Sequence, residues 1–447
     1  FILRIEDTDR ERSSDAMTDA ILDGMTWLGL AWDEGPFHQA DGFSRHAADV
    51  QELIADGAAY RCFCSAEALE ARRGREAVAN EAYRYDRFCV TTLSPEDSER
   101  RAAAREPFVV RFRVPAGTTT WNDAVYGRIE FDNAEIEDFI ILRTDGTPIY
   151  NMAVVSDDVH MRITHVIRGD DHISNTPKQI LLYEGLGAPL PTFAHVPMIL
   201  GPDGKRLSKR HGATAVGEYS RLGILPSAML NFLALLGWSP GTSQEIFTPE
   251  ELIAQFSLEG INRKSAVFDV QKLRWLNGQH INRMAADDLK SLVREALVDE
   301  GIDPSGRSET WLRALIDLLK ARARNIPDIA RQARPYLVTD IDYEPDAVEK
   351  HWKEPEQVAH RLARLQQRFA TLNTWDAATL EQDLRALADE LGVGAAKLIH
   401  PLRVALTGSA VGPGIFEVAA LMGRDLVLSR TDAAVDRLEH GAAEEGS

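Results

Sequence analysis

The hydrophobic positions of this chain change rhythm along its length. Over residues 1–60 an apolar run, FILRI, leads into a charged loop. Met17, Ile21, Met25 and Leu28 then recur at helical spacing until Gly29, Gly35 and Pro36 stop them, and a second helical pattern follows. From Tyr60 to about Asp145 the texture becomes short β-type runs, PFVVRFRV, GRIEFDN and DFIILRTDG, separated by turn residues. That pattern predicts a small α+β insertion. IYNMAVVSDD and MRITHVIRGDD then read as buried strands with polar C-terminal ends. SNTPKQILLYEGLG reads as a helix, with cap oxygens at Ser174 to Thr176, Pro177 in its first turn and Gly185 or Gly187 closing it. A strand pattern that is interrupted and then resumed implies one split nucleotide-binding-type domain.

Beyond Gly212 the period is mostly helical. LPSAMLNFLALLGW and DVQKLRWLNGQHI are short amphipathic pieces; Leu362, Leu365 and Phe369, then Leu380, Leu384, Leu387 and Leu391, continue the pattern. The predicted division is residues 1–60 with 146–230 as the split α/β domain and 61–145 as the insertion. Residues 231–285 form a helical connector and 286–447 a helical domain, ending in a tail-like EHGAAEEGS.

Composition narrows this picture. The 447 residues carry a formal net charge of −19, which repels polyanions at long range and disfavours indiscriminate nucleic-acid binding, DNA included. Three cysteines cannot build a disulfide framework, so a reducing, cytoplasmic setting is expected. No apolar run approaches the ~20 residues a bilayer demands, so no membrane partner is expected. The chain opens in mid-strand without a methionine, from which loss of an N-terminal segment is expected.

Against that acidity, GPDGKRLSKRHG concentrates Lys205, Arg206, Lys209, Arg210 and His211 among glycines. Positioned cations of this kind neutralise charge as a phosphoanhydride breaks, although a charged loop can equally be a solvated turn. The spacing is not that of a Walker P-loop. RIEDTDR places Glu6, Asp7 and Asp9 at a strand end, where open α/β sheets bind ligands; Thr8 or Asp9 could instead cap a helix. In YNMAVVSDD and HVIRGDDHISNT, Tyr150 offers an aromatic wall and Arg168 a bidentate donor for a carboxylate, with Asp170, Asp171 and His172 following. The alternative is a structural Arg168 paired with Asp157 or Asp158. Cys62, Cys64 and Cys89 supply three of the four ligands of a zinc site, with Tyr85, His46 or water to complete it. Three unrelated thiols are the other reading.

Taken in order, FILRIEDTDRERS, WLGLAWDEGP, AYRCFC, GTPIYNM, ITHVIRGDDHISNTPKQILLYEGLG, GPDGKRLSKRHGA and LLGWSPGTSQEIF resemble the bacterial glutamyl-tRNA synthetases, over essentially the whole chain. RLSKR is similar to the KMSKS-type signature of class I synthetases, with Arg206 in place of its first lysine. The resemblance implies a Rossmann-type catalytic domain carrying an acceptor-end-binding insertion. A stem-contact region and an all-helical anticodon-binding region would follow. It implies ligation of L-glutamate to tRNA(Glu) through glutamyl-adenylate, with ATP and Mg2+, by a monomer. By matching position, Glu6 would meet the substrate's amino group, Tyr150 would line the pocket and Arg168 would clamp the side-chain carboxylate. Asp171 would lie near the adenosine; Ser208 and Lys209 would bind ATP, with Arg206 and Arg210 assisting at the phosphates. The family's His-Ile-Gly-His type motif falls upstream of Phe1. Zn2+ would sit on Cys62, Cys64 and Cys89, with Tyr85, because Thr91 stands where some members carry histidine. Arg322, Arg324, Arg331, Arg334, Arg361, Arg364 and Arg368 would offer a basic face to tRNA. Three other readings are weighed: a glutamyl-queuosine tRNA(Asp) synthetase, a non-catalytic tRNA-binding relative, and a glutaminyl-tRNA synthetase, whose family typically reads RFDDTNP where this chain reads RIEDTDR and carries β-barrels where this chain is helical.

Overall fold

A computed structural model describes residues 1–8, 14–78, 85–208 and 216–444. The chain forms two compact units, Phe1–Glu218 with Leu230–Asp269, and Tyr219–Met229 with Val270–Ser447.

The first unit begins with β1 (Ile2–Ile5), α1 (Asp15–Leu28), β2 (Glu34–His38) and α2 (Phe43–Ala55). Ser14 caps α1, its hydroxyl accepting from the Met17 amide, and Gly29 ends it in the left-handed conformation at φ 72°. β1 and β2 pair in parallel. The strand β2, EGPFH, runs through the very Gly35 and Pro36 that the sequence pattern reads only as a stop. Parallel pairing of so short a piece depends on β1, not on local propensity.

The insertion contains β3 (Ala59–Cys62), α3 (Ala66–Val78), α4 (Phe88–Thr92), α5 (Pro95–Ala103), β4 (Val109–Phe112), β5 (Thr118–Asp123), β6 (Gly127–Asp132) and β7 (Ile140–Leu142). β3, β4 and β7 form an antiparallel sheet, while β5 and β6 make a separate hairpin. The α/β pattern then resumes with α6 (Tyr150–His160), β8 (His165–Gly169), α7 (Thr176–Gly185) and β9 (Thr192–Val196). β8 and β9 are parallel and joined through α7, a βαβ unit.

One element corrects the sequence reading. YNMAVVSDDVH is a helix, not a strand, and residues Asn151 through Asp158 are all buried. A helix buried on every side loses its polar face, and its valine-rich run then has no period to separate it from a core strand. The core beneath it joins Val50, Leu53, Phe112, Ile141, Met152, Val155, Ile180, Leu182 and Phe193, spanning the insertion and the α/β elements.

The second unit is helical throughout its described residues beyond Val270. Leu362, Leu365 and Phe369 of the helix Pro355–Ala370, and Leu380, Leu384 and Leu387 of Ala377–Glu390, fall on its core as their spacing predicts. Asn277 organises its start. This fully buried amide accepts from the Leu225 amide at 2.8 Å and donates to the carbonyls of Gly223 and Arg324 at 3.0 and 2.8 Å.

Candidate active site

A cleft of about 440 Å3 opens beside β1 and β8 and gathers Arg4, Glu6, Tyr150, Asp158, Arg168 and His172. The three residues expected to recognise an amino acid, Glu6, Tyr150 and Arg168, therefore line one space. Glu6 stands exposed at the end of β1, 3.4 Å from the Arg4 guanidinium. Tyr150 begins α6; burial, with the nearby Glu6 charge, raises its phenol pKa.

The acidic pair beneath is claimed by other residues. Arg4 binds Asp158 at 2.8 Å and approaches Asp157 at 3.8 Å. Asp157 also accepts from Gln39 and bonds His46, both at 2.7 Å, and pairs with Arg45. Burial pushes the Asp157 carboxyl up, but the His46 and Gln39 hydrogen bonds and the His46 and Arg4 charges outweigh it, and the net shift is downward. For Asp158 burial wins, and its pKa is raised despite Arg4 and Tyr183. Asp7, at a neighbouring position of the opening motif, accepts from the Ala40 amide at 2.9 Å and bonds His38 at 2.9 Å, so it ties the strand end to the chain after β2.

Arg168 is thus not the partner of Asp157 or Asp158. Among the described residues no carboxylate forms an ion pair with it; it is held by neutral acceptors. Its Nε donates to His195 Nε2 at 3.3 Å and its Nη2 to Thr176 Oγ1 at 2.8 Å. Burial lowers its pKa, and the Tyr150 hydroxyl and the Asp158 charge partly offset this. A half-buried guanidinium with no internal anion is a ready receptor for a carboxylate, since a supplied anion recovers Coulomb energy in a low-dielectric site.

The basic loop begins as a tight hairpin. Gly204 takes φ 71°, the Gly201 amide donates to the Lys205 carbonyl at 2.7 Å, and Leu207 donates back to Ile199 at 2.9 Å. Arg206 faces Asp171 at 3.4 Å, which joins two residues expected at the ATP site. Ser208 is the last described residue of this stretch; Lys209, Arg210 and His211 lie outside the described residues, as do Asp9 and Arg10.

The cysteines converge. The sulfurs of Cys62, Cys64 and Cys89 lie within 4.8 Å of one another, and Tyr85 Oη stands 3.1 Å from Cys62 Sγ and 3.7 Å from Cys64 Sγ. Thr91 turns its hydroxyl to the Arg87 and Phe88 carbonyls, and His46 is engaged by Asp157, so neither joins the cluster. The hydrogen bond from Cys89 draws the Cys62 thiol down to about 4, while the same bond and burial push Cys89 up. Arg111 lies 3.9 Å from the Tyr85 ring centroid and Arg72 bonds Cys64 at 3.7 Å.

In the helical unit the seven arginines divide. Arg364 and Arg368 are ion-paired to Glu390, and Arg368 also to Asp383 at 2.8 Å. Arg331 pairs with Asp328 at 2.5 Å and Glu300 at 3.6 Å. Arg324 lines a cleft of about 430 Å3 with Arg274, Trp275 and Arg331. Arg274 and Trp275 escape a search for arginine density because they stand alone in DVQKLRWLNGQHI.

The α/β unit with its strand-end cleft, and the helical unit that follows in sequence, agree with the architecture of the class I aminoacyl-tRNA synthetases. Residues 1–275 match the family model for the catalytic domain of class I tRNA synthetases (E and Q), and residues 285–435 match an anticodon binding domain. The chain belongs to this glutamyl and glutaminyl family. It is 49% identical over 432 residues to glutamate–tRNA ligase 2 of Koribacter versatilis, covering 96% of this chain and 90% of that one. It is 45% identical to the glutamate–tRNA ligase of Geobacter sulfurreducens, over 98% of this chain and 92% of the relative. A crystal structure of a glutamate tRNA ligase from Elizabethkingia meningosepticum, in complex with its amino acid, superposes with a TM-score of 0.89 at 28% identity, covering 98% and 93% of the two chains.

Proposed function

We propose that this chain ligates L-glutamate to tRNA(Glu) at the expense of ATP, and that the cleft at Arg168 is its glutamate pocket. The observation that carries this reading is the Arg168 guanidinium, which lines the cleft and has no carboxylate partner among the described residues, while Arg4 takes the aspartates nearest to it. Glutamate supplies the missing anion through its side chain, and glutamine does not. Glu6, at the exposed end of β1, accepts the substrate's ammonium, and the Tyr150 ring closes the wall between them.

So held, the substrate's α-carboxylate oxygen attacks the α-phosphorus of magnesium-bound ATP. The bond to the β-phosphate bridge breaks, giving glutamyl-adenylate and pyrophosphate. Arg206, beside Asp171, brings positive charge toward the phosphates, and Lys209 and Arg210 follow it in sequence. A hydroxyl of the terminal tRNA ribose then attacks the acyl carbon and AMP leaves with the electron pair of the mixed anhydride. A relative built only of the catalytic half leaves residues 285–435, with their anticodon-domain match, without a counterpart. Aminoacylation of purified tRNA(Glu) and tRNA(Gln) by the full-length gene product tests the reading. Glutamylated tRNA(Glu) is expected, and absence of glutamate-dependent pyrophosphate exchange with tRNA present overturns it.

The cysteine cluster fits a structural zinc ion. A tetrahedron with Zn–S bonds of about 2.3 Å has edges of roughly 3.8 Å, and the sulfur–oxygen and sulfur–sulfur separations of 3.1, 3.7 and 3.4 Å are close to that. Three thiolates around a divalent cation leave one negative charge, which Arg72 and Arg111 flank. Three thiolates and the Tyr85 phenol would close the shell, so the ion would pin the end of β3 to α4 and supply no chemistry to the reaction. One equivalent of zinc is expected by metal analysis, falling on Cys89→Ser; under about a tenth of an equivalent in the wild type excludes it.

A further inference from the structure

The residue that fixes Arg168 is itself fixed from the insertion. His195 sits on β9 directly opposite Arg168 in the parallel β8–β9 ladder and is fully buried. Its Nδ1 meets Asp123 Oδ2 at 2.5 Å, and its Nε2 faces Arg168 Nε at 3.3 Å. A neutral imidazole has one N–H and one lone pair, so the partners dictate the tautomer. Arg168 can only donate. Hence Nε2 is the acceptor, and Nδ1 carries the proton toward Asp123. Thr176 completes the chain: its Oγ1 accepts from Arg168 Nη2, lies 3.1 Å from His195 Nε2 and donates to the His172 carbonyl at 3.2 Å.

Asp123 ends β5, and its position is set by its own surroundings. Its Oδ1 accepts from the amides of Val125 and Tyr126 at 3.0 Å each and of His195 at 3.3 Å. Around it the hairpin tip is docked twice more, through Ala124 N–H to the Phe193 carbonyl at 2.8 Å and Tyr126 Oη to Asp170 at 3.1 Å. Burial pushes the Asp123 carboxyl up, but the Tyr126, His195 and Val125 hydrogen bonds bring it down, so it is an anion here. Burial lowers the His195 pKa, consistent with a neutral ring.

From this geometry we infer that Asp123 and His195 are positioning residues that lock the Arg168 fork for the glutamate side chain and so set discrimination against glutamine. His195 and Thr176 together occupy the Nε–Nη2 edge of the fork, so the carboxylate meets the Nη1–Nη2 edge, whose direction the relay defines. The inference rests on the reading of Arg168 as the carboxylate clamp.

Asp123→Asn tests it with little change of shape. The amide oxygen keeps the backbone N–H bonds, while the amide nitrogen now faces His195 Nδ1. The ring proton must then move to Nε2, where it opposes the Arg168 Nε–H and turns toward Thr176 Oγ1, so Arg168 Nε loses its acceptor. In the full-length protein the KM for glutamate should rise about tenfold or more, and the glutamate-over-glutamine ratio should fall similarly. The KM for ATP and kcat should stay within about threefold. His195→Gln, which retains an acceptor near the Nε2 position, should be less impaired than His195→Leu. Unchanged glutamate KM and discrimination in Asp123→Asn, with Arg168→Gln impaired, would overturn the relay and leave the clamp standing. An equal loss in every parameter with a lowered melting temperature would reduce Asp123 to a structural role and also overturn it. A normal Arg168→Gln enzyme would remove the clamp itself, and the relay with it.

Discussion

Arg168 and Arg364 are the same side chain put to opposite uses. Arg364 lies on the outer face of a helix and reaches Glu390, an acid its own fold provides. Arg168 emerges from β8, a partly exposed strand, and is met by a histidine, a threonine and a tyrosine, none of them an anion. Nearby Asp157 and Asp158 could have neutralised it, yet Arg4, Arg45, Gln39 and His46 engage them instead. A saturated surface cation adds little to stability and has little to offer a ligand. A half-buried one left without its counter-ion is an invitation to a substrate. Position in the fold, and not residue type, separates the two.

The sharpest way to break this contrast is Arg168→Gln. We expect kcat/KM for glutamate to fall by about three orders of magnitude, on the order of 4 kcal/mol. A change within threefold would move the clamp elsewhere. Next comes Asp157→Asn, which strips the network that keeps Arg4 and Arg45 occupied; urea unfolding at pH 7 should register a loss of about 3 kcal/mol. Its pH dependence has a definite sign. The folded pKa is below the unfolded value of about 3.9, so the stabilisation is present above that value and disappears as pH falls through the carboxylate range. The variant should therefore lose less stability than wild type between about pH 5 and pH 3. An equal acid slope would place the critical carboxylate elsewhere.

Smaller effects should separate the arginines of the helical unit. Arg274→Ala, in the cleft with Trp275 and Arg324, should raise the KM for tRNA about tenfold and flatten its salt dependence by roughly one phosphate contact. Arg364→Ala should change unfolding free energy by less than about 1 kcal/mol and leave tRNA affinity within about twofold. If Arg364 proved the more important for tRNA, its pairing with Glu390 would have to open on binding, and the contrast drawn above would fail.

Much of this is legible in the sequence. The order of motifs pointed to the family, and Glu6, Tyr150 and Arg168 do share one cleft. The helices of the second unit follow their leucine spacing because each has a wet face. α6 reads as a strand because it has none. β2 was missed because its strand character comes from its neighbour β1. The relay was invisible for a different reason. His195 in TFAHV could have drawn notice as a lone polar group in an apolar run, but Asp123 lies 72 residues away, and no pattern reveals that a hairpin tip returns to that strand. Tyr85 was only one of several candidates for the cysteine cluster until the chain around α4 brought its hydroxyl among the sulfurs.

The hairpin tip at Asp123 also constrains how such a molecule can be rearranged by descent or by design. An insertion is ordinarily a portable cassette, exchangeable between relatives without touching the chemistry of its host. Here the cassette carries the aspartate that orients the histidine behind the amino-acid clamp. Swapping it for one with a different turn would alter which amino acid is charged, even if every residue lining the pocket were kept. Insertion and pocket therefore work as one unit.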